Sequence, residues 1–144
     1  MRDQGGAGLA APQIGVGLRV FVFHADGVEG HLVNPEWTRV GDEDQFGPEG
    51  CLSIPGLRAD CVRWANVVAT GWDLHGEPQR IEGTELLARA IQHETDHLDG
   101  VLFVDRLETD ARKQLMREIR AASWFDPAAP PVVKSSPHPL FGAR

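Results

Sequence analysis

Long apolar runs are missing from this 144-residue sequence. No stretch approaches the roughly 20 uninterrupted apolar residues that a bilayer crossing needs, and the opening MRDQGGAGLA has no signal-peptide core. Membrane partners are therefore not expected. Cysteine is scarce too: Cys51 and Cys61 are too few for a disulfide framework, so each reads as a reduced thiol with a packing or ligand role, and a cytoplasmic location is expected. Positive charge is the third shortage. Fourteen Lys and Arg against 21 Asp and Glu give a net charge of −7, which argues against the broad basic surface of a nucleic-acid binder, although five of the 14 fall between Arg106 and Arg120. What is present, 42% hydrophobic and 24% charged residues, describes one ordinary globular domain. A chain of this length buries about two-thirds of its unfolded surface, so any metal would be there for chemistry, not to hold a core.

Glycine and proline punctuate the chain. Gly5 to Gly15, GGAGLAAPQIG, reads as a loop with close backbone approach. Leu18–Phe23, His31–Asn34 and Asn66–Leu74 read as strands from their β-branched and aromatic content. Asp73 to Pro78 reads as a hairpin connection to a short strand at Arg80–Glu82, which makes the sheet at least partly antiparallel. A helix of about four turns follows, capped by Thr84 and closed by Gly100 in a left-handed conformation. Its apolar face is wide, which predicts burial. Val101–Val104 reads as one more strand, and Leu107, Ala111, Leu115 and Ile119 mark an amphipathic second helix. From Trp124 onward five of the ten prolines occur, so residues 123–144 are expected to form an irregular tail after a single domain spanning residues 1–122.

Chemistry concentrates in His93-Glu94-Thr95-Asp96-His97, which is HExxH. Four-residue spacing on a helix puts both imidazoles on one face, able to grip one divalent ion. Glu94, about 100° round the helix from His93, can reach a water at that ion without ligating it and is the natural general base. A catalytic site usually takes a third protein ligand and keeps one position open. Downstream candidates are Asp105, Glu108, Asp110, Glu118 and His138, none in a distinctive setting. Cys51 is the better candidate: Gly50 permits a tight turn before it, and the N–H of Leu52 after it would point at whatever the sulfur binds. Cys61 reads as a small buried hydrophobe.

GAGLAAPQ (Gly6 to Gln13), EGCLS (Glu49 to Ser53) and QHETDHL (Gln92 to Leu98) resemble the three ordered motifs of the peptide deformylases, GxGLAAxQ, EGCLS and QHExDHL. The resemblance runs from about Gly6 to Leu107. It implies an α+β fold in which antiparallel sheets pack around a buried metal-binding HExxH helix, to which the residues themselves add a second, C-terminal helix and the irregular tail. It implies an enzyme that removes formyl from N-formylmethionine at the start of nascent polypeptides, with a transient ribosome contact and no nucleic-acid substrate. It also implies that Cys51, His93 and His97 bind one Fe(II), replaceable by zinc, nickel or cobalt. A thiolate and two neutral imidazoles would leave that ion with net charge +1, enough to lower the pKa of its water toward about 7. The Leu52 N–H and the Gln13 side-chain amide then suit an oxyanion. By the same similarity the methionine pocket and substrate strand draw on Ala7, Gly8, Leu9, Gly47, Glu49, Gly50, Leu86, Arg89 and Ala90. The small residues Ala7 and Gly47 suggest a roomy pocket, with Arg89 nearer its rim and Gly8 letting the substrate backbone approach. An ion pair between Glu49 and Arg58 would support the cysteine loop.

Two features depart from the family. Its members carry an N-terminal helix before GxGLAAxQ, whereas five residues precede Gly6 here, so that helix is expected to be absent, through a start assigned too late or a real truncation. The proline-rich tail also departs from a simple C-terminal helix. Two competing functions follow: a truncated, inactive deformylase-like protein, or a general HExxH metallopeptidase whose third ligand is a glutamate or histidine in place of Cys51.

Overall fold

Alternation of side chains sets the inner and outer faces of the strands. In Val20–Ala25 (β2), Phe21, Phe23 and Ala25 are buried while Val22 and His24 face outward. Asp26 and Gly27, both with positive φ, turn the chain into Val28–Arg39 (β3), the two-residue hairpin geometry that matches strand twist. In this computed structural model, which describes residues 5–128, these strands join Gly8–Ala10 (β1), Asn66–Trp72 (β6) and Pro78–Thr84 (β7) in one sheet. The order is β1-β2-β3-β6-β7, and every neighbouring pair is antiparallel. Asp44–Cys51 (β4) and Ile54–Trp64 (β5) form a separate antiparallel hairpin closed by Leu52 and Ser53.

Glu85–Leu98 (α1) follows β7 directly, and Leu87 through His97 are all buried. Its one side packs on the five-stranded sheet with Phe21, Phe23, Leu32, Val67 and Ala69. A second core lies under the hairpin, where Cys51, Ile54 and Cys61 meet Phe103, Val104 and the Leu115 and Ile119 stripe of Thr109–Ala121 (α2). The described residues are thus α+β with antiparallel sheets and two α-helices, as expected. Among the described residues no helix is long and apolar enough to cross a membrane.

Several local expectations are corrected. Val101–Val104 is not a strand: Phe103–Arg106 forms a 3-10 turn. Its apolar run reflects burial in the second core, and its backbone bonds locally, Val101 N–H to Asp96 O at 2.8 Å and Asp105 N–H to Leu102 O at 2.9 Å. Thr84 sits at the helix start but its hydroxyl makes no cap; Asp26 Oδ2, from the β2–β3 turn, accepts the Leu87 N–H at 3.1 Å instead. The Gly5–Gly15 segment is more ordered than a loop, containing β1 and a 3-10 turn at Ala11–Ile14. No strand was expected between Asn34 and Asn66, because Gly47, Pro48, Gly50, Pro55 and Gly56 hide the alternation of β4 and β5. Gly100 does take the left-handed conformation, with φ 73°. Of the expected tail, residues 129–144 lie outside the described residues.

Candidate metal centre and substrate pocket

One helical turn separates His93 from His97, and their Nε2 atoms stand 3.2 Å apart. Cys51 arrives from β4. A register slip between Gly50 and Cys51 breaks the hairpin alternation there, and the sulfur lies 3.2 Å from His97 Nε2. Ligand atoms of the three residues all lie within 4.8 Å of one another. A tetrahedral ion with bonds of about 2.0 to 2.3 Å holds its ligand atoms roughly 3.3 to 3.6 Å apart, so the spacing suits a small dication.

The proton chemistry of the donors fits such an ion. Burial raises the Cys51 thiol, but hydrogen bonds from His93, His97 and the Ser53 N–H outweigh it and bring it down to about 5. Burial lowers His93, but its hydrogen bonds to Cys51 and Glu49 push it up to about 10. A thiol held down and an imidazole held up beside each other form a polarised sulfur–nitrogen donor set of the kind that suits a dication.

Glu94 shares the site without a partner. It is 3% exposed, and its Oε2 has no hydrogen bond. Burial lifts it to about 7 against the pull of His93 and His97. Gly8 makes room for it, since a Cβ there would overlap the Glu94 carboxylate. Gln13 is oriented by the start of its own 3-10 turn: Ala10 N–H donates to Oε1 at 2.8 Å, which turns Nε2 toward Ser53 Oγ at 3.1 Å and Cys51 Sγ at 3.7 Å.

Behind His93 stands Glu49. His93 Nδ1 meets Glu49 Oε1 at 2.6 Å, and the carboxylate is 4% exposed. Burial would raise it, yet the His93 and Arg63 hydrogen bonds hold it well below the usual carboxylate range. Its guanidinium partners are Arg63 at 2.6 Å and Arg89 at 2.8 Å. The expected Glu49–Arg58 pair is not formed: Arg58 packs over Gly50 at the pocket instead. Arg89 also departs from expectation. It is buried and donates to Glu49 and to the Cys61 carbonyl at 3.0 Å, so it walls the pocket from below its rim.

A cavity of about 560 Å³ opens on this cluster. Ala7, Gly8, Glu49, Gly50, Leu86 and Ala90 line it, beside Arg89, His93, Glu94, Gln13, Cys51 and Leu52. Leu9 and Gly47 are not in that lining. Leu9 pairs with Val22 in the sheet, and Gly47 lies 3.8 Å, from an added Cβ, behind the Arg89 guanidinium. Sequence reasoning missed the Pro55–Arg58 wall, which Trp124 braces by donating to the Pro55 carbonyl at 3.1 Å. It also missed Ser53, Arg63 and Asp96. Only Asp96 carried a signal, as a charge on a buried helical stripe. Cys61 is 1% exposed and packs in the second core, as expected.

A cysteine and two helical histidines, a buried carboxylate beside them and a cavity on the open side define the class of protein, one built for hydrolysis at a metal. The comparisons narrow this class. Residues 1–113 match the family model of polypeptide deformylase, and the chain belongs to that family. It is 56% identical over 142 residues to a peptide deformylase of Acidothermus cellulolyticus, covering 99% of this chain and 77% of that one. Among solved structures it is similar to plant peptide deformylase PDF1B, with TM-score 0.78 and 39% identity over 84% of this chain and 68% of that one. A Synechococcus elongatus peptide deformylase in complex with actinonin gives TM-score 0.77 and 39% identity, over 85% and 70%.

Proposed function

We infer that this protein is a peptide deformylase, an amide hydrolase that removes the formyl group from N-formylmethionine at the start of nascent polypeptides and releases formate. Family membership supports the reaction, and one observation carries the site: Cys51, His93 and His97 converge beside Glu94 at the floor of the cavity. We read residues 1–122 as one catalytic domain that works in the cytoplasm on ribosome-borne chains, with a passing ribosome contact. Because the third donor beside the two histidines is a sulfur, the general metallopeptidase reading has no support among the described residues.

The three donors would hold one Fe(II), with zinc, nickel or cobalt able to replace it. Bound there, the ion supplies a lowered water pKa and polarises the formyl oxygen. Glu94 takes the proton from the attacking water and returns it to the leaving amine, a role suited to a buried carboxylate whose Oε2 has no other hydrogen bond. The Gln13 Nε2 and the Leu52 N–H donate to the oxyanion that develops on the formyl oxygen as water adds to the formyl carbon. Glu49 keeps the proton of His93 on Nδ1 and so leaves Nε2 for ligation. The methionine side chain occupies the cavity between Ala7, Leu86 and Ala90. β1 is an edge strand, so the substrate main chain can add beside Gly8 and Leu9.

The direct test is formate release from formyl-Met peptides by anaerobically purified protein. Formate and a free amine in equal amounts are expected. A folded, ion-loaded protein that releases none would overturn the reading.

A further inference from the structure

The buried charges do not end at Glu49. Arg63, on β5, donates from Nε at 3.1 Å and from Nη2 at 2.6 Å to the two Glu49 oxygens, and its Nη1 reaches Asp96 Oδ2 at 2.7 Å. Asp96 stands on α1 between the two histidines and is 6% exposed. From the far side Arg106, at the end of the 3-10 turn, grips both Asp96 oxygens, Nε to Oδ2 at 3.1 Å and Nη2 to Oδ1 at 2.6 Å. The Arg106 side chain is 49% exposed. A continuous path, His93–Glu49–Arg63–Asp96–Arg106, therefore runs from a ring of the metal cluster to the molecular surface.

Arg63 is the shared member of that path. Its one guanidinium serves two buried carboxylates, with Arg89 adding a single bond to Glu49 Oε2, and a buried carboxylate that loses its own cation draws strongly on the nearest one. Arg106 satisfies both oxygens of Asp96 in a bidentate pair, so Asp96 draws on Nη1 of Arg63 alone and Nε and Nη2 stay with Glu49. Glu49 then keeps its short contact with His93 Nδ1, and that contact fixes the tautomer and the angle of the ring. Remove Arg106, and Asp96 competes with Glu49 for Arg63. The outer end of the path thus governs the inner one, although Arg106 belongs neither to the donor group nor to the cavity lining.

We propose that Arg106 is a positioning residue for the His93 ring, acting through Asp96, Arg63 and Glu49 to hold the ring's Nε2 toward Cys51 and His97. This rests on the reading of Cys51, His93 and His97 as the ligand set.

Cobalt loading of the full chain tests it, read by the visible absorption of the bound ion and by its partition against a chelator. Four variants are compared with the wild type: Arg106→Met, Arg106→Lys, Asp96→Asn and the Asp96→Asn/Arg106→Met double. Circular dichroism confirms folding of each. Arg106→Met is expected to shift the cobalt bands and to weaken retention about tenfold, as outer partners of ligating histidines do, with Arg106→Lys recovering part of the loss. The double variant is expected within about twofold of Asp96→Asn alone, because removing the Asp96 charge ends the competition for Arg63. A folded Arg106→Met with wild-type bands and retention overturns the proposal while leaving the ligand set standing. So does a double variant in which the two losses multiply. A wild-type protein that takes up no cobalt overturns the ligand set itself, and the proposal with it.

Discussion

Glu94 holds the least compensated charge in the site, and its consequences are measurable at the level of a single side chain. In the ion-free protein burial lifts it from 4.5 to about 7, so the folded chain keeps a proton that the unfolded chain releases. That contribution to stability is whole below pH 4.5 and is lost as pH rises through 7. Glu94→Gln does not titrate. Its stability advantage over wild type is expected to grow by on the order of 3 kcal/mol across this window in urea unfolding of chelator-stripped protein. An advantage that stays constant with pH would mean that Glu94 ionises as freely in the fold as outside it. With the ion bound, Glu94→Ala is expected to abolish formate release while metal content stays near one per chain; metal lost along with activity would make Glu94 a ligand. Gln13→Ala should slow turnover about 10²- to 10³-fold at unchanged metal content, the cost of one oxyanion donor. At this scale the sequence was most legible for His93, Glu94 and His97, whose types and spacing carry their geometry. The partners of Glu49 were not legible. Arg58 lies nearer in the chain than Arg89, yet Arg63 and Arg89 reach the carboxylate, because the β4–β5 register and the seat of α1 decide which guanidinium arrives.

Elements bring these residues together by close approach. β1 passes so near α1 that only hydrogen fits at Gly8 opposite the Glu94 carboxylate. Gly8→Ala is expected to displace that carboxylate and cut formate release by about 10²-fold or more, with metal content retained, since a shift near 1 Å at a reacting group costs that much. Wild-type turnover in this variant would show that Glu94 can work from another position. The N-terminus of α1 depends on Asp26 of the β2–β3 turn, so Asp26→Ala should destabilise the protein by about 1 kcal/mol in thermal or urea unfolding. α1 was legible from its wide apolar stripe and α2 from its narrow one. The β4–β5 hairpin was not, because its glycines and prolines mask a two-residue period. Phe103 and Val104 misled in the opposite sense. Their apolar run comes from insertion into the second core, while the backbone around them bonds locally.

Across the whole molecule α1 separates two cores, and Cys51 belongs to one while Ala88, Ala90 and Ile91 belong to the other. An ion bound by Cys51, His93 and His97 would tie the β4–β5 hairpin to the helix, and its stabilisation follows the mass action of a ligand that binds only the folded state. Neither motif alone reveals this link. Cys51 of EGCLS and His97 of QHETDHL are 46 positions apart in the chain, and only the fold makes them neighbours. X-ray absorption at the metal edge of anaerobically purified protein, with metal content measured on the same sample, reads the link directly. One ion per chain is expected, with one sulfur and two imidazole nitrogens among its ligands. A stoichiometric ion with no sulfur in its coordination shell would contradict the assignment of Cys51, and with it the centre described here.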